Sequence, residues 1–236
     1  MSEFPGRVVF GGPLSPIGWT VGFLQATFDR VQPTMRAWLD ERASVLVRYK
    51  QFRLGSEPIL EALSRLDPLQ TPPKRELIVA MRSGWTAHFV NNHLGGDSQS
   101  WTGHLSRVLG CSGVIATHIP LGHYPYPATQ LDLFGPDGDL PSGHVRAIYA
   151  GVYDEGTWQF DAFGRVQPWE EPERYEERSL RDRFDRELLL RYLAALGIDA
   201  DDPASYGESA LIQTRAAFRP RTTSVRDEQR RLEIGP

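Results

Sequence analysis

With 236 residues the chain fits one large domain or two small ones, and no stretch of it marks a linker. Hydrophobic residues make up 40% and aromatics 11%, which is enough for a real core and unlike a disordered chain. The net charge of −4 comes without the dense basic patch of a nucleic-acid surface; no run of 18 apolar residues offers a membrane span, and Met1 to Phe10 lacks the basic-then-apolar order of a secretory signal.

The elements follow in chain order. Val8 to Gly18 is rich in Gly and Pro and reads as a short strand and loop. From Thr20 to Val31, Phe23, Leu24, Thr27, Phe28 and Val31 recur at helical spacing, and Pro33 is expected to stop that helix. A second amphipathic stretch puts Met35, Trp38, Leu39, Leu46 and Tyr49 on one face, and a short helix spans Ile59 to Leu66 before the prolines at 68, 72 and 73. Two apolar runs, Glu76 to Met81 and Trp85 to Val90, flank Ser83-Gly84 as the arms of a hairpin.

Asp97 or Ser98 is placed to cap a helix that runs to Leu109 and ends at Gly110. Strands are expected at Val114–Ile119, Leu131–Phe134, Val145–Val152 and Thr157–Phe160, the last two joined by a turn at Asp154-Glu155-Gly156. The best-defined helix runs from Ser179 to Leu196, with Leu180, Phe184, Leu188, Leu189, Tyr192, Leu193 and Leu196 in one stripe. Gly197 suits its C-terminal cap, and Asp185 can cap an inner start that would split the segment into a turn and a main helix. Ala210 to Thr214 adds a last strand. Beyond Arg219-Pro220-Arg221 no apolar period survives, so residues 219–236 are expected as a flexible charged tail on a single domain of residues 1–218. Helices at both ends of a hairpin-connected sheet make the fold α+β, with a mostly antiparallel central sheet.

Few residues are grouped as chemistry would need them. Five of six histidines, His88, His93, His104, His118 and His123, fall within 36 positions, and neutral imidazole is a common metal ligand. Asp97 or Asp132 would be the carboxylates of such a site, yet no H-E-x-x-H spacing fixes a geometry, and packed or solvent-facing rings account for the set without a metal. Cys111 is the only cysteine, which excludes an internal disulfide and a Cys-based zinc cluster and fits a reducing, cytoplasmic compartment. Paired with His104 or His118 it would be a thiol–imidazole couple, but it follows a helix-ending glycine and reads as a small buried hydrophobe. Gly11-Gly12 and Gly95-Gly96 form neither a P-loop nor a dinucleotide turn, and no cofactor is expected.

Two surfaces stand out instead. The segment Leu121-Gly122-His123-Tyr124-Pro125-Tyr126-Pro127 alternates tyrosine and proline, which stiffens an extended chain and either displays its rings to a partner or packs them onto the sheet. Residues 170–177 carry five glutamates against Arg174, which suits a basic partner or the solvated entrance to a helix. Arginine outnumbers lysine 24 to 2, the mark of a GC-rich bacterial genome.

Ser83-Gly84-Trp85-Thr86-Ala87-His88-Phe89, Leu109 to Val114, Trp158-Gln159-Phe160 leading into Gly164, Trp169 to Tyr175, Asp182-Arg183-Phe184 and Leu193 to Ile198 together resemble a functionally uncharacterised bacterial family from GC-rich genomes, of immunity-like and accessory cytosolic proteins. The resemblance spans about residues 76–206 and implies no catalytic residues; at the position of His88 it implies an aromatic ring. The resulting expectation is a non-enzymatic protein-binding module, immunity- or antitoxin-like, whose partner meets Tyr124, Tyr126, Glu171 and Glu173. The alternative is a metal-dependent hydrolase built on the clustered histidines.

Overall fold

The computed structural model describes residues 7–44, 47–72, 75–93, 99–122, 124–138, 143–153, 156–216 and 219–234. Its centre is a nine-stranded sheet in which every neighbouring pair is antiparallel. In chain order the elements are β1 (Thr20–Leu24), α1 (Phe28–Arg42), β2 (Val47–Gly55), α2 (Ile59–Ser64), β3 (Leu69–Thr71), β4 (Arg75–Met81), β5 (Thr86–Val90), α3 (Gln99–Leu109), β6 (Gly113–Ile119), β7 (Ala128–Phe134), β8 (His144–Val152), β9 (Trp158–Gly164), α4 (Arg186–Ala195), β10 (Tyr206–Ala216), β11 (Arg221–Thr223) and α5 (Val225–Leu232). The strands lie in the order β2-β10-β4-β5-β1-β6-β7-β8-β9, and β3 and β11 form a separate small pair. The fold is α+β, and no helix among the described residues is long and apolar enough to cross a membrane.

Alternation along the strands builds two cores. Leu77, Val79 and Leu211 face a core shared with α2, α4 and the segment Val8–Ile17, while Ile78, Ala210 and Ile212 face a second one under α1 and α3. In α4 the spacing that suggested a helix is the spacing that buries it: Leu188, Leu189, Tyr192 and Leu193 are all buried. Each such leucine contributes about 1.5–3 kcal/mol from lost water contact. Asp185 accepts the backbone N–H of Leu188 as the cap, so the inner start is the one adopted, preceded by a separate 3-10 turn at Leu180–Arg183. Gly197 takes a φ of +80°, a conformation open to glycine at little cost, and lets the chain leave the helix.

The hairpin β4–β5, the helix ending at Leu109 and the four strands β6 to β9 stand where their patterns place them. Asp97, Ser98 and the glycine pair at 95 and 96 lie outside the described residues, as do Asp154 and Glu155 of the expected turn.

Several expectations are corrected. Thr20–Leu24 is a strand, not the start of a helix. It sits at the middle of the sheet with all five residues buried, so both faces are apolar and the period of two that marks a strand is lost. The helix then runs through Pro33 to Arg42, because burial of Phe28, Val31, Met35 and Leu39 offsets the one backbone hydrogen bond that proline cannot make. Tyr49 belongs to the edge strand β2 rather than to that helix. Val8 to Gly18 forms turns, with no strand.

The expected tail is also structured. β11 pairs with β3, Ser224 caps α5, and α5 buries Val225 and Leu232 while the Gln229 amide donates to the carbonyls of Pro13 and Ser15 at 2.8 and 2.9 Å. Only two apolar positions per eight residues are buried, too few to announce an amphipathic helix in the sequence.

Beneath β8 and β9 the connection to α4 is held by a buried ion pair. Arg146 and Glu170 meet through three contacts, Nε–Oε1 at 3.0 Å, Nε–Oε2 at 3.2 Å and Nη2–Oε2 at 2.8 Å, and the Glu170 side chain is 0% exposed. The Tyr175 hydroxyl and the Gln167 N–H donate to the same carboxylate, each at 2.8 Å. A carboxylate so surrounded has its hydrogen-bonding capacity met, which is the condition for a buried charge to persist.

Candidate functional site

The clustered histidines are dispersed by the sheet. His88 and Ile115 both lie opposite Gly22 of β1 and so share a face; His118, three residues past Ile115, points to the other. These two cannot hold one ion. His88 is buried, with Nε2 2.9 Å from Glu76 Oε2 and its ring stacked on Trp101 at 4.2 Å. His104 on α3 stacks on Trp38 at 5.0 Å, and burial lowers its pKa. His93 follows β5, with Nδ1 3.9 Å from the Glu228 carboxylate and its buried Nε2 without a hydrogen-bond partner among the described residues. His123 lies outside the described residues. Among the described residues no three His, Cys, Asp or Glu side chains are grouped as metal ligands.

Cys111 is half-buried against the α1–α3 core, and burial pushes its thiol pKa up. A raised pKa keeps sulfur as the thiol, the opposite of what a nucleophile needs. Asp132 on β7 is buried, and among the described residues no arginine or lysine pairs with it: burial raises its pKa to about 6, only partly offset by the Gln130 amide that donates to it at 2.6 Å. The sixth histidine, His144, stands 3.6 Å away from it with a pKa lowered by burial.

The proline-tyrosine loop divides its two rings. Tyr124 packs on the buried Trp19 with ring centres 5.9 Å apart, and it meets Tyr126 edge-on at 5.9 Å. Burial raises the Tyr124 pKa. Tyr126 is 41% exposed and Leu121 57% exposed. One tyrosine therefore anchors the loop and the other is presented.

The acidic stretch is largely neutralised from within. Glu170 is the buried partner of Arg146 described above. Glu171 forms two contacts of 2.9 Å with Arg191, which holds its carboxyl below the usual range. Glu173 stays exposed on the 3-10 turn Pro172–Glu176. No hydrogen bond, ion pair or ring contact joins Glu171 or Glu173 to Tyr124 or Tyr126.

What the structure does bring together is a cleft at the end of the sheet where β6 turns into β7. Its volume is about 380 Å³. His118 and Thr129 line it from the sheet, with His118 Nδ1 3.0 Å from Thr129 Oγ1; Leu121, Pro127 and Trp158 supply apolar walls. Asp182, Asp185, Arg186 and Glu187 close it from the start of α4. The His118 pKa is lowered to about 4, first by burial and then by the Arg186 guanidinium, so the ring is neutral at neutral pH. Arg186 itself is engaged by Asp201 and by the Phe10 carbonyl, and Asp185 by its capping role and by Arg174. Of these residues the sequence reading marked only His118, Leu121 and Pro127 as surface or site candidates. Trp158 and the α4 carboxylates join them across 30 to 70 positions of chain, and no spacing rule reports such a meeting.

Comparison with protein-family models, with curated proteins and with solved structures returns no match, so the resemblance seen in the sequence rests on its motifs alone.

Proposed function

We propose that this chain is a non-enzymatic, cytosolic protein-recognition module of the immunity-like kind, and that its partner docks on the sheet end formed by the Leu121–Pro127 loop and the adjoining cleft. The carrying observation is the division of the loop: Tyr124 is spent on Trp19, while Tyr126 and Leu121 remain exposed beside a cleft of about 380 Å³. An aromatic ring presented on an anchored loop gives contact area without much ordering cost, which is the pattern of a recognition hot spot. Two side chains of a type that serves in catalysis are set against a reaction: the Cys111 thiol is held protonated, and His118 is too weakly basic to take a proton near pH 7. The acidic patch contributes at Glu173, which is exposed, and less at Glu171, which Arg191 already occupies.

The test is binding by matched variants. Leu121→Asp and Tyr126→Ala, both at exposed positions, should keep the thermal midpoint of the wild type and lose a protein retained by the wild type from extracts of its source cells. Co-expression with a toxin candidate so retained should protect the cell only with the wild-type chain. An identical set of retained proteins for wild type and both variants would refute the assignment.

A further inference from the structure

The cleft has a chemistry more specific than general stickiness. Trp158 lines it and also a second depression of about 300 Å³ that Ser179, Leu180 and Arg181 line, so one residue borders both hollows. The lining of the two hollows carries Asp182, Asp185 and Glu187 against Arg181 and Arg186, three carboxylates to two guanidinium groups. Most of these charges are engaged. Arg186 is tied to Asp201, Arg174 to Asp185, and Arg181 to Asp182 at 3.3 Å. Glu187, exposed at the mouth of the cleft, enters no hydrogen bond or ion pair among the described residues. The two cations of the lining are thus already spent, and a carboxylate is the charge left over.

A planar aromatic wall, an unspent carboxylate at the mouth and a neutral imidazole at the floor are the parts that recognise a guanidinium. Its flat face stacks on indole, its edge donates to a carboxylate in pairs, and its remaining N–H groups seek neutral acceptors. Because His118 is uncharged at neutral pH, the floor does not repel a cation. We infer that the cleft between β6–β7 and the start of α4 receives an arginine side chain of the partner protein, stacked on Trp158 and paired with Glu187. This deepens the recognition reading above and rests on it for the partner being a protein. The unpaired Glu187 favours arginine over an acidic side chain, and the indole of Trp158 favours a flat group over the compact ammonium of lysine.

The experiment uses the full chain and three blocked tripeptides, acetyl-Gly-X-Gly-amide with X as arginine, lysine or citrulline, followed by the ring resonances of His118 and by calorimetry. Citrulline keeps the shape and removes the charge. The arginine peptide should bind saturably and shift the His118 resonances. Citrulline, or the Glu187→Arg variant, should weaken it about tenfold, the loss of one charge-assisted contact. Glu187 is exposed, so that variant is expected to fold, and an unchanged thermal midpoint verifies it; Trp158→Phe, which keeps a ring but shrinks it, serves as a second probe. Equal binding of arginine and citrulline peptides, survival of binding in Glu187→Arg, or no shift with the arginine peptide would each overturn the inference. Free arginine amide binding as tightly as the peptide would assign the cleft to a small molecule and overturn it as well. Loss of partner retention in Leu121→Asp and Tyr126→Ala is read separately, so the recognition reading can stand when the arginine assignment falls.

Discussion

Replacing Asp132 by asparagine should stabilise this protein at neutral pH. The carboxyl is 3% exposed, it lies in the sheet with no arginine or lysine paired to it among the described residues, and its pKa stands at about 6 against an ordinary value of 3.8. A group whose native pKa is raised binds its proton more tightly folded than unfolded, so stability falls as pH rises from about 4 to about 6 and is level above that. At 1.36 kcal/mol per pKa unit, the roughly two-unit shift amounts to about 3 kcal/mol of destabilisation at pH 7. Asparagine keeps an oxygen for the Gln130 amide and never ionises, so Asp132→Asn should recover up to about 3 kcal/mol, or about 6–12 °C in thermal midpoint for a chain of this size. The wild type alone is a poor witness, because His118 has the opposite slope across nearly the same window. Denaturant melts of wild type and variant should therefore be compared at each pH from 4 to 8. The difference should be small near pH 4 and full above pH 6.5. A variant less stable than wild type at pH 7, or a gain undiminished at pH 4, would refute the argument that desolvation dominates at this residue.

Three further outcomes follow from the same geometry. His118 has a native pKa of about 4, so it contributes stability that is whole above its ordinary 6.5 and is lost as pH falls toward 4; its NMR titration should have a midpoint well below 5, and His118→Gln should flatten that part of the stability profile. A midpoint near 6.5 would place the ring in solvent instead. Glu170→Ala leaves the buried Arg146 uncompensated and should cost about 3–5 kcal/mol in a denaturant melt. Glu173→Ala, three residues on and exposed, should change stability by about 0.5 kcal/mol or less. Leu232→Ala should cost about 2–5 kcal/mol because α5 is packed, whereas a flexible tail would show no effect.

How much was legible depends on how far apart the deciding residues are. The β4–β5 hairpin, the stripe of α4 with its Asp185 cap and Gly197 exit, and the strands β6 to β9 rest on contacts within a few residues, and pattern reports them well. β1 failed that reading because a strand buried on both faces has no polar phase, and its apolar residues merged with those of α1. Of the pair β2–β10, joined across about 160 positions, the pattern reports β10 at Ala210–Thr214 and misses β2, an edge strand with one exposed side. The same reason hid α5, whose burial exists only because β11 finds β3 far upstream.

From composition and local pattern alone come the α+β class, the antiparallel habit of the central strands, the absence of any disulfide framework and the unusual proline-tyrosine loop. Tertiary structure alone decided that neighbouring histidines in sequence stand on opposite faces of one sheet, that Glu170 is a core residue while Glu173 is not, and that His118 shares a cleft with Trp158 and Glu187. The physical reason is that side-chain direction alternates with each residue of a strand, and charge is neutralised by whichever partner folding brings near; both are facts of pairing between distant segments, which a local reading of the chain does not contain.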